Sequence, residues 1–247
     1  MSRGRVALKA ETSTLPNDHS SDRRALLHAL ADIGLSAAAL ALLGVGGGTS
    51  ARNARGGIRH EGAAMSEFTI WRRLDQPGHD AALLTRTDDG WLLRGATVFG
   101  HPQAPTCINY SVTVDSSWRT RFGTVQGFHG ASAVAHSIAH QPDGWYLDGT
   151  RVKGLEHLND LDFGFTPATN LLQLRRVNIA SGEDLSISVA WFDVGAATLT
   201  ELPQRYRCLN PTTFEYEAPT VGYRGQLTLA SPRGFVKHYP DLWITET

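Results

Sequence analysis

A chain of 247 residues with 41% apolar content, nine Phe, six Tyr and six Trp can bury a substantial core, as one large domain or two small ones. Its formal net charge is −1, and from Met65 onward 15 Lys and Arg stand against 19 Asp and Glu, a net −4. That balance excludes nonspecific nucleic-acid binding, which needs a basic surface to neutralise phosphates.

The first quarter of the chain is set apart by what it lacks. No aromatic residue precedes Phe68, which places the start of the globular domain near residue 65 and makes 65–247 a single domain. Residues 1–64 read as an N-terminal extension, disordered or weakly helical. Their longest charge-free stretch, Ile33 to Ser50, is rich in Ala and Gly, whereas a membrane span takes about 20 strongly apolar residues. Because "MSEFTIWRRL" from Met65 has the character of a start, the first expectation is a disordered tail or an upstream mis-start, with a cytoplasmic protein. An export signal over residues 23–51 is the alternative, since Arg23 and Arg24 precede the apolar stretch.

From Phe68 on, short segments with period-2 alternation recur between turn signals. In chain order they cover 67–73, 81–86, 90–99, 106–115, 118–127, 131–140, 144–148, 171–180, 185–194, 204–208, 212–218, 223–230 and 233–238. "DDG" at 88–90, "PDG" at 142–144, "DG" at 148–149 and "SGED" at 181–184 separate them. There Gly supplies positive φ and Asp bonds locally to the backbone. Segment 129–140, "HGASAVAHSIAH", fits a short helix or a strand. Long helical periodicity is absent after residue 65. The pattern predicts an all-β fold: a rolled antiparallel sheet, as a spiral β-roll or a barrel-like meander, able to hold a ligand in the roll or on its concave face.

Familiar catalytic signatures are missing. There is no G-x-S-x-G, P-loop or H-E-x-x-H, no cofactor fingerprint, and no C-x-x-C around Cys107 or Cys208. The two cysteines read as reduced, buried thiols, with one disulfide as the alternative for an exported chain. His136 and His140 have i,i+4 spacing without a third ligand in view, so no metal site is assigned. The acid pairs Asp160/Asp162 and Glu215/Glu217 read as solvated strand faces rather than a catalytic dyad.

Arginines and aromatics are more informative. Arg175 and Arg176 are adjacent, so on a strand one of them points inward and needs a carboxylate, with Asp160 or Asp162 as the nearest, or a ligand head group. Arg119 and Arg121 share one face with Trp118 and Thr120 on the other, and Arg205 and Arg207 flank Tyr206 in the same way. Trp91, Trp118, Trp145 and Trp191 are core residues first and platforms for sugar rings second. Together they describe an aromatic-lined roll suited to an amphipathic ligand.

Several segments, in this order, carry a resemblance: "DGWLLRGATV" (89–98), "WRTRF" (118–122), "DGWYLDG" (143–149), "DLDFGFTPATNLLQLRRV" (160–177) and "GFVKHYPDLW" (234–243). The chain resembles the bacterial family described as putative glycolipid-binding, once a domain of unknown function, over about residues 67–246. The resemblance implies a rolled antiparallel β-sheet and a lipid or glycolipid ligand. It puts weight on Asp162, Thr166, Pro167, Thr169, Asn170, Arg175 and Arg176. "LLQLRR" departs from the family pattern where a proline is usual, and "EHLND" (156–160) lacks a cysteine usual there.

The functional expectation is a noncatalytic binding protein without cofactor, with Arg94, Trp118, Arg119, Arg121, Asp162, Asn170, Arg175, Arg176 and Tyr206 as candidate ligand contacts. No integral membrane insertion of the domain is expected, and the oligomeric state is left open. An enzyme acting on a small or glycosylated substrate through Asp162 or a Glu with an arginine is the alternative, followed by a protein-interaction module pairing through an open sheet edge.

Overall fold

The computed structural model describes residues 66–100 and 104–246; the expected extension over 1–64, with its candidate export signal, lies outside the described residues. Fifteen strands form one sheet. They are β1 (Ser66–Arg73), β2 (Gly78–Arg86), β3 (Gly90–Phe99), β4 (Thr106–Asp115), β5 (Thr120–His129), β6 (Ser132–Gln141), β7 (Gly144–Leu147), β8 (Thr150–Val152) and β9 (Leu161–Phe163). A helix, α1 (Asn170–Val177), precedes β10 (Asp184–Phe192), β11 (Thr200–Asn210), β12 (Thr213–Ala218), β13 (Tyr223–Leu229), β14 (Val236–Tyr239) and β15 (Trp243–Thr245). The expected all-β antiparallel roll is the fold observed, and segment 132–141 is strand rather than helix.

The sheet consists of two meanders joined where the chain's two ends meet. Strands β1 to β8 pair in sequence, as do β10 to β15, and β15 closes the seam against β1 with Trp71 opposite Thr245 and Arg73 opposite Trp243. The seam is anchored inside by Trp71, whose Nε1 donates to the Val236 carbonyl at 2.6 Å while its ring meets Phe235 edge-on at 5.5 Å. Strand β9 is parallel to β10 and ends the sheet on that side. The ladder does not close, but the segment before β9 spans towards β5: the Thr120 amide donates to the Asn159 carbonyl, and the Ala190 amide to that of Asp160. Gly123 permits this approach, because a Cβ there would lie 2.5 Å from the Leu161 side chain.

One expectation is corrected. Residues 171–180 read as a strand; the structure has helix α1 across most of that span. The physical reason is in the composition: Leu, Gln and Arg are good helix formers, and the segment has no β-branched residue before Val177. Arg175 and Arg176 in the last turn suit the negative end of the helix dipole. Asn178 ends the helix in the left-handed region at φ 47°, its amide bonding the Leu174 carbonyl at 3.1 Å. Asn170 to Leu174 are all buried, so α1 fills the inside of the roll among Phe163, Phe165 and the inward side chains of the strands.

Leu171→Ala deletes the centre of that filling. It is expected to destabilise the domain by about 2–5 kcal/mol in urea unfolding followed by tryptophan fluorescence; a change below about 1 kcal/mol would show that the helix is not a core element.

Candidate functional site

The loop from Phe163 to Asn170 carries three polar side chains into the interior, and each starts a chain of hydrogen bonds that ends on a buried carboxylate. Thr166 accepts from the Ala168 amide (3.1 Å) and bonds the Tyr110 hydroxyl (3.0 Å), which donates to Asp80 Oδ1 (2.8 Å). Thr169 accepts from the Phe163 amide (3.2 Å) and donates to Asp162 Oδ1 (2.5 Å). Asn170 Nδ2 donates to the Tyr206 hydroxyl (3.0 Å), which donates to Gln204 Oε1 (3.3 Å), and Gln204 Nε2 donates to Asp162 Oδ2 (2.8 Å). Alternation puts Asp80, Tyr110, Gln204 and Tyr206 on the inner faces of β2, β4 and β11.

Beside this network lies a recess of about 310 Å³. Its apolar wall is Phe163, Trp191, Tyr216, Tyr223, Tyr239 and Trp243, and its polar side is Asp162, Thr166, Asn170 and Asp193. Gly164 keeps it open: a Cβ there would lie 2.8 Å from the Trp191 ring and 2.9 Å from the Asp193 carboxyl carbon. Burial pushes the Asp162 carboxyl up to about 6, against the hydrogen bonds from Thr169 and Gln204. Burial also raises Asp193, and holds the phenols of Tyr206, Tyr216 and Tyr239 well above their usual range. Asp80 is pushed up to about 7 by burial, and its Oδ2 has no hydrogen-bond partner among the described residues. The Gln173 amide, fully buried, lies close enough to Asp162 to lower its carboxyl but makes no well-aligned hydrogen bond among the described residues.

The sequence-derived candidates separate into four places. Asp162 and Asn170 line the recess, and Tyr206 stands behind it through its bond to Asn170. Arg176 forms a multiply bonded ion pair with the buried Asp160, at 2.6 to 2.9 Å, on a more open recess of about 470 Å³ that also holds His157, Ser186, Ser188 and Arg205. That second recess has no aromatic wall. Arg175 bonds Glu67 at 2.6 and 2.7 Å and the Arg233 carbonyl at 2.8 Å, and lies over the ring of Trp118, which stacks on Trp91. Arg94, Arg119 and Arg121 are exposed, Arg121 pairing with Asp115 at 2.6 Å. The strand argument for Arg175 and Arg176 does not apply on a helix, yet each guanidinium has found a carboxylate, and Asp160 is one of the two foreseen.

The acid pair Asp160/Asp162 requires a further correction: both are buried, not solvated, because they precede and occupy a strand covered on both sides. Glu215 and Glu217 do face outward, paired with Arg207 and Arg224. His136 bonds Asp148, and His140 stacks on Trp145; among the described residues no group of three metal-ligating side chains converges. Cys107 and Cys208 are both free thiols, Cys208 buried and Cys107 only half-buried. Sequence reasoning missed Asp193, Tyr216, Tyr223, Tyr239 and Trp243. For Tyr239 and Trp243 the signal lay in "GFVKHYPDLW", which the fold brings to the same recess as "DLDFGFTPATN"; Asp193, Tyr216 and Tyr223 lie outside both segments. No described helix is long and apolar enough to cross a membrane.

The buried carboxyls make stability depend on pH with a definite sign. A folded-state value above the unfolded one means the folded protein retains protons that the unfolded chain has lost, so stability falls as pH rises. The fall runs from about 4 to about 6 for Asp162 and to about 7 for Asp80, then levels off. Asp80→Asn is expected to raise the melting temperature at pH 8 by several degrees, from an effect on the order of 2–4 kcal/mol. It also flattens the decline between pH 5 and 7 in scanning calorimetry; an unchanged slope would mean that Asp80 does not titrate there.

Comparison with known proteins agrees with this architecture. The crystal structure of a DUF1089 family protein from Pseudomonas aeruginosa aligns with a TM-score of 0.54 at 18% identity, covering 79% of this chain and 99% of that one. That likeness is one of fold. No curated protein matches the sequence. A family model described as "Putative glycolipid-binding" matches residues 68–244, nearly all of the described residues. The chain therefore belongs to that family.

Proposed function

We propose that this domain is a noncatalytic binding protein for a glycolipid, holding the sugar headgroup in the recess between β9, β10 and β12 to β15. The observation that carries the reading is the composition of the recess. Indole and phenol rings from Trp191, Trp243, Tyr223 and Tyr239 face a carboxyl and an amide, Asp162 and Asn170. Aromatic faces stack on the C–H faces of a sugar, while buried acceptors and donors fix its hydroxyls. At about 310 Å³ the recess is at the lower end of the roughly 300–1,000 Å³ typical of small-molecule sites, which suits a headgroup with its lipid chains outside. The family description supports the same ligand class.

The test is native mass spectrometry of the full chain after incubation with a bacterial lipid extract. A glycolipid adduct is expected, and Trp191→Ala should lower its affinity about tenfold, since an aromatic contact contributes about 1–2 kcal/mol. A spectrum free of lipid and sugar at every extract concentration would overturn the reading.

One observation favours a second reading, glycoside cleavage: two carboxyls, Asp162 and Asp193, line the same recess and are both raised by burial. On that reading the wild type releases nitrophenol from nitrophenyl glycosides and Asp193→Asn does not. Binding without release assigns the site to recognition alone.

A further inference from the structure

We infer that the outer face of β1 to β5 is a docking surface for a phospholipid membrane, on which the domain lies without crossing. The inference stands on that face and does not depend on the recess. Along it Phe68 is 81% exposed, Val98 54%, Ile70 44% and Phe128 43%. Strand register joins them through smaller apolar side chains: Cys107 stands between Val98 and Phe128, Ala81 and Ala96 continue the row from Ile70, and Leu83 lies beside Phe68. Such a row of exposed aromatic and branched side chains exceeds the scattered apolar residues of an ordinary surface.

Charge separates this face from the rest of the domain. Of the 19 acidic residues from Met65 onward, none occupies an outward position of β1 to β5 between the strand ends. The nearest acids keep to the rim: Asp115 is held by Arg121 and by the amides of its own turn, and Glu246 lies beside Arg72 and His79. Arg94 sits within the face, exposed and without a carboxylate partner among the described residues. Two of its outward hydroxyls, Ser111 and Thr124, bond each other at 2.7 Å. In a domain of net −4, an acid-free face that sets exposed apolar side chains beside the neutral Asn109 and Gln126 and the unpaired Arg94 guanidinium complements lipid phosphates above acyl chains.

A second copy of the chain fits worse. Two such faces packed together would bury Arg94 against a surface with no carboxylate to receive it. The outside of a roll is also convex, so two of them meet along a line, whereas lipid deforms to follow the curve.

The experiment is co-sedimentation of the full chain with vesicles of phosphatidylcholine and phosphatidylglycerol, alongside light scattering without vesicles. Wild type should sediment with the vesicles as a monomer in solution. Phe68→Glu/Val98→Glu, both at exposed positions that leave the melting curve unchanged, should weaken binding at least about tenfold. Wild type that stays in the supernatant overturns the proposal, as does a double variant that sediments equally well. A wild-type dimer that the same variant splits would reassign the face to self-association and overturn it too.

Discussion

Three hydrogen-bond chains hold this fold around one loop. Thr166, Thr169 and Asn170 each reach a carboxylate, two of them the same one, and through those contacts the loop is tied to β2 and β4 on one side and to β9 and β11 on the other. A hydrogen bond to an ionised group contributes about 1.5–3 kcal/mol, and an unsatisfied buried polar group costs a similar amount. The loop must therefore sit where all three chains close together, which fixes the entry of α1 into the roll. Pro167 between the threonines presets the backbone of the turn. The recess is the space this arrangement leaves, so its polar side consists of the residues that build the core.

The two arginines at the end of α1 extend the same logic outward. Arg176 neutralises the buried Asp160 beside the segment that spans towards β5, and Arg175 joins α1 to β1 through Glu67 and to the β13–β14 connection through the Arg233 carbonyl. The stacked pair of Trp91 and Trp118 covers Arg175 from the side of β3. Trp118 takes this position with φ at 65°, a conformation that costs a bulky residue on the order of 1–3 kcal/mol and persists because the surroundings hold it. Guanidinium groups that a strand reading would offer to a ligand thus act as ties.

What the sequence made legible follows from which forces are local. Alternation and turn chemistry located nearly every long strand, because a sheet with one buried face writes its pattern into neighbouring residues. The short strands β8, β9 and β15 have three residues each and too little pattern to register. Helix α1 was misread because Leu171 to Arg176 can be written with either period, and a helix buried on nearly all sides has no polar face to mark it. Asp162 and Asn170 were found through the threonine-proline motif. Tyr223, Tyr239 and Trp243 were not, since they reach the recess only through pairings at the far end of the chain. The carboxylate for Arg176 was guessed from proximity; that for Arg175, Glu67, is 108 residues away and invisible to any local argument.

The seam between the first and last strands has a consequence for how the molecule is made. Strands β1 to β8 can pair as they leave the ribosome, each with its predecessor, but Trp71 lacks its cover until Phe235 and Val236 have been made. Until then the first meander carries an unfilled apolar inner face and an unpaired edge at β1, the features that make nascent β-proteins prone to associate wrongly. Completion of the roll therefore waits on contacts between residues 165 apart in the sequence.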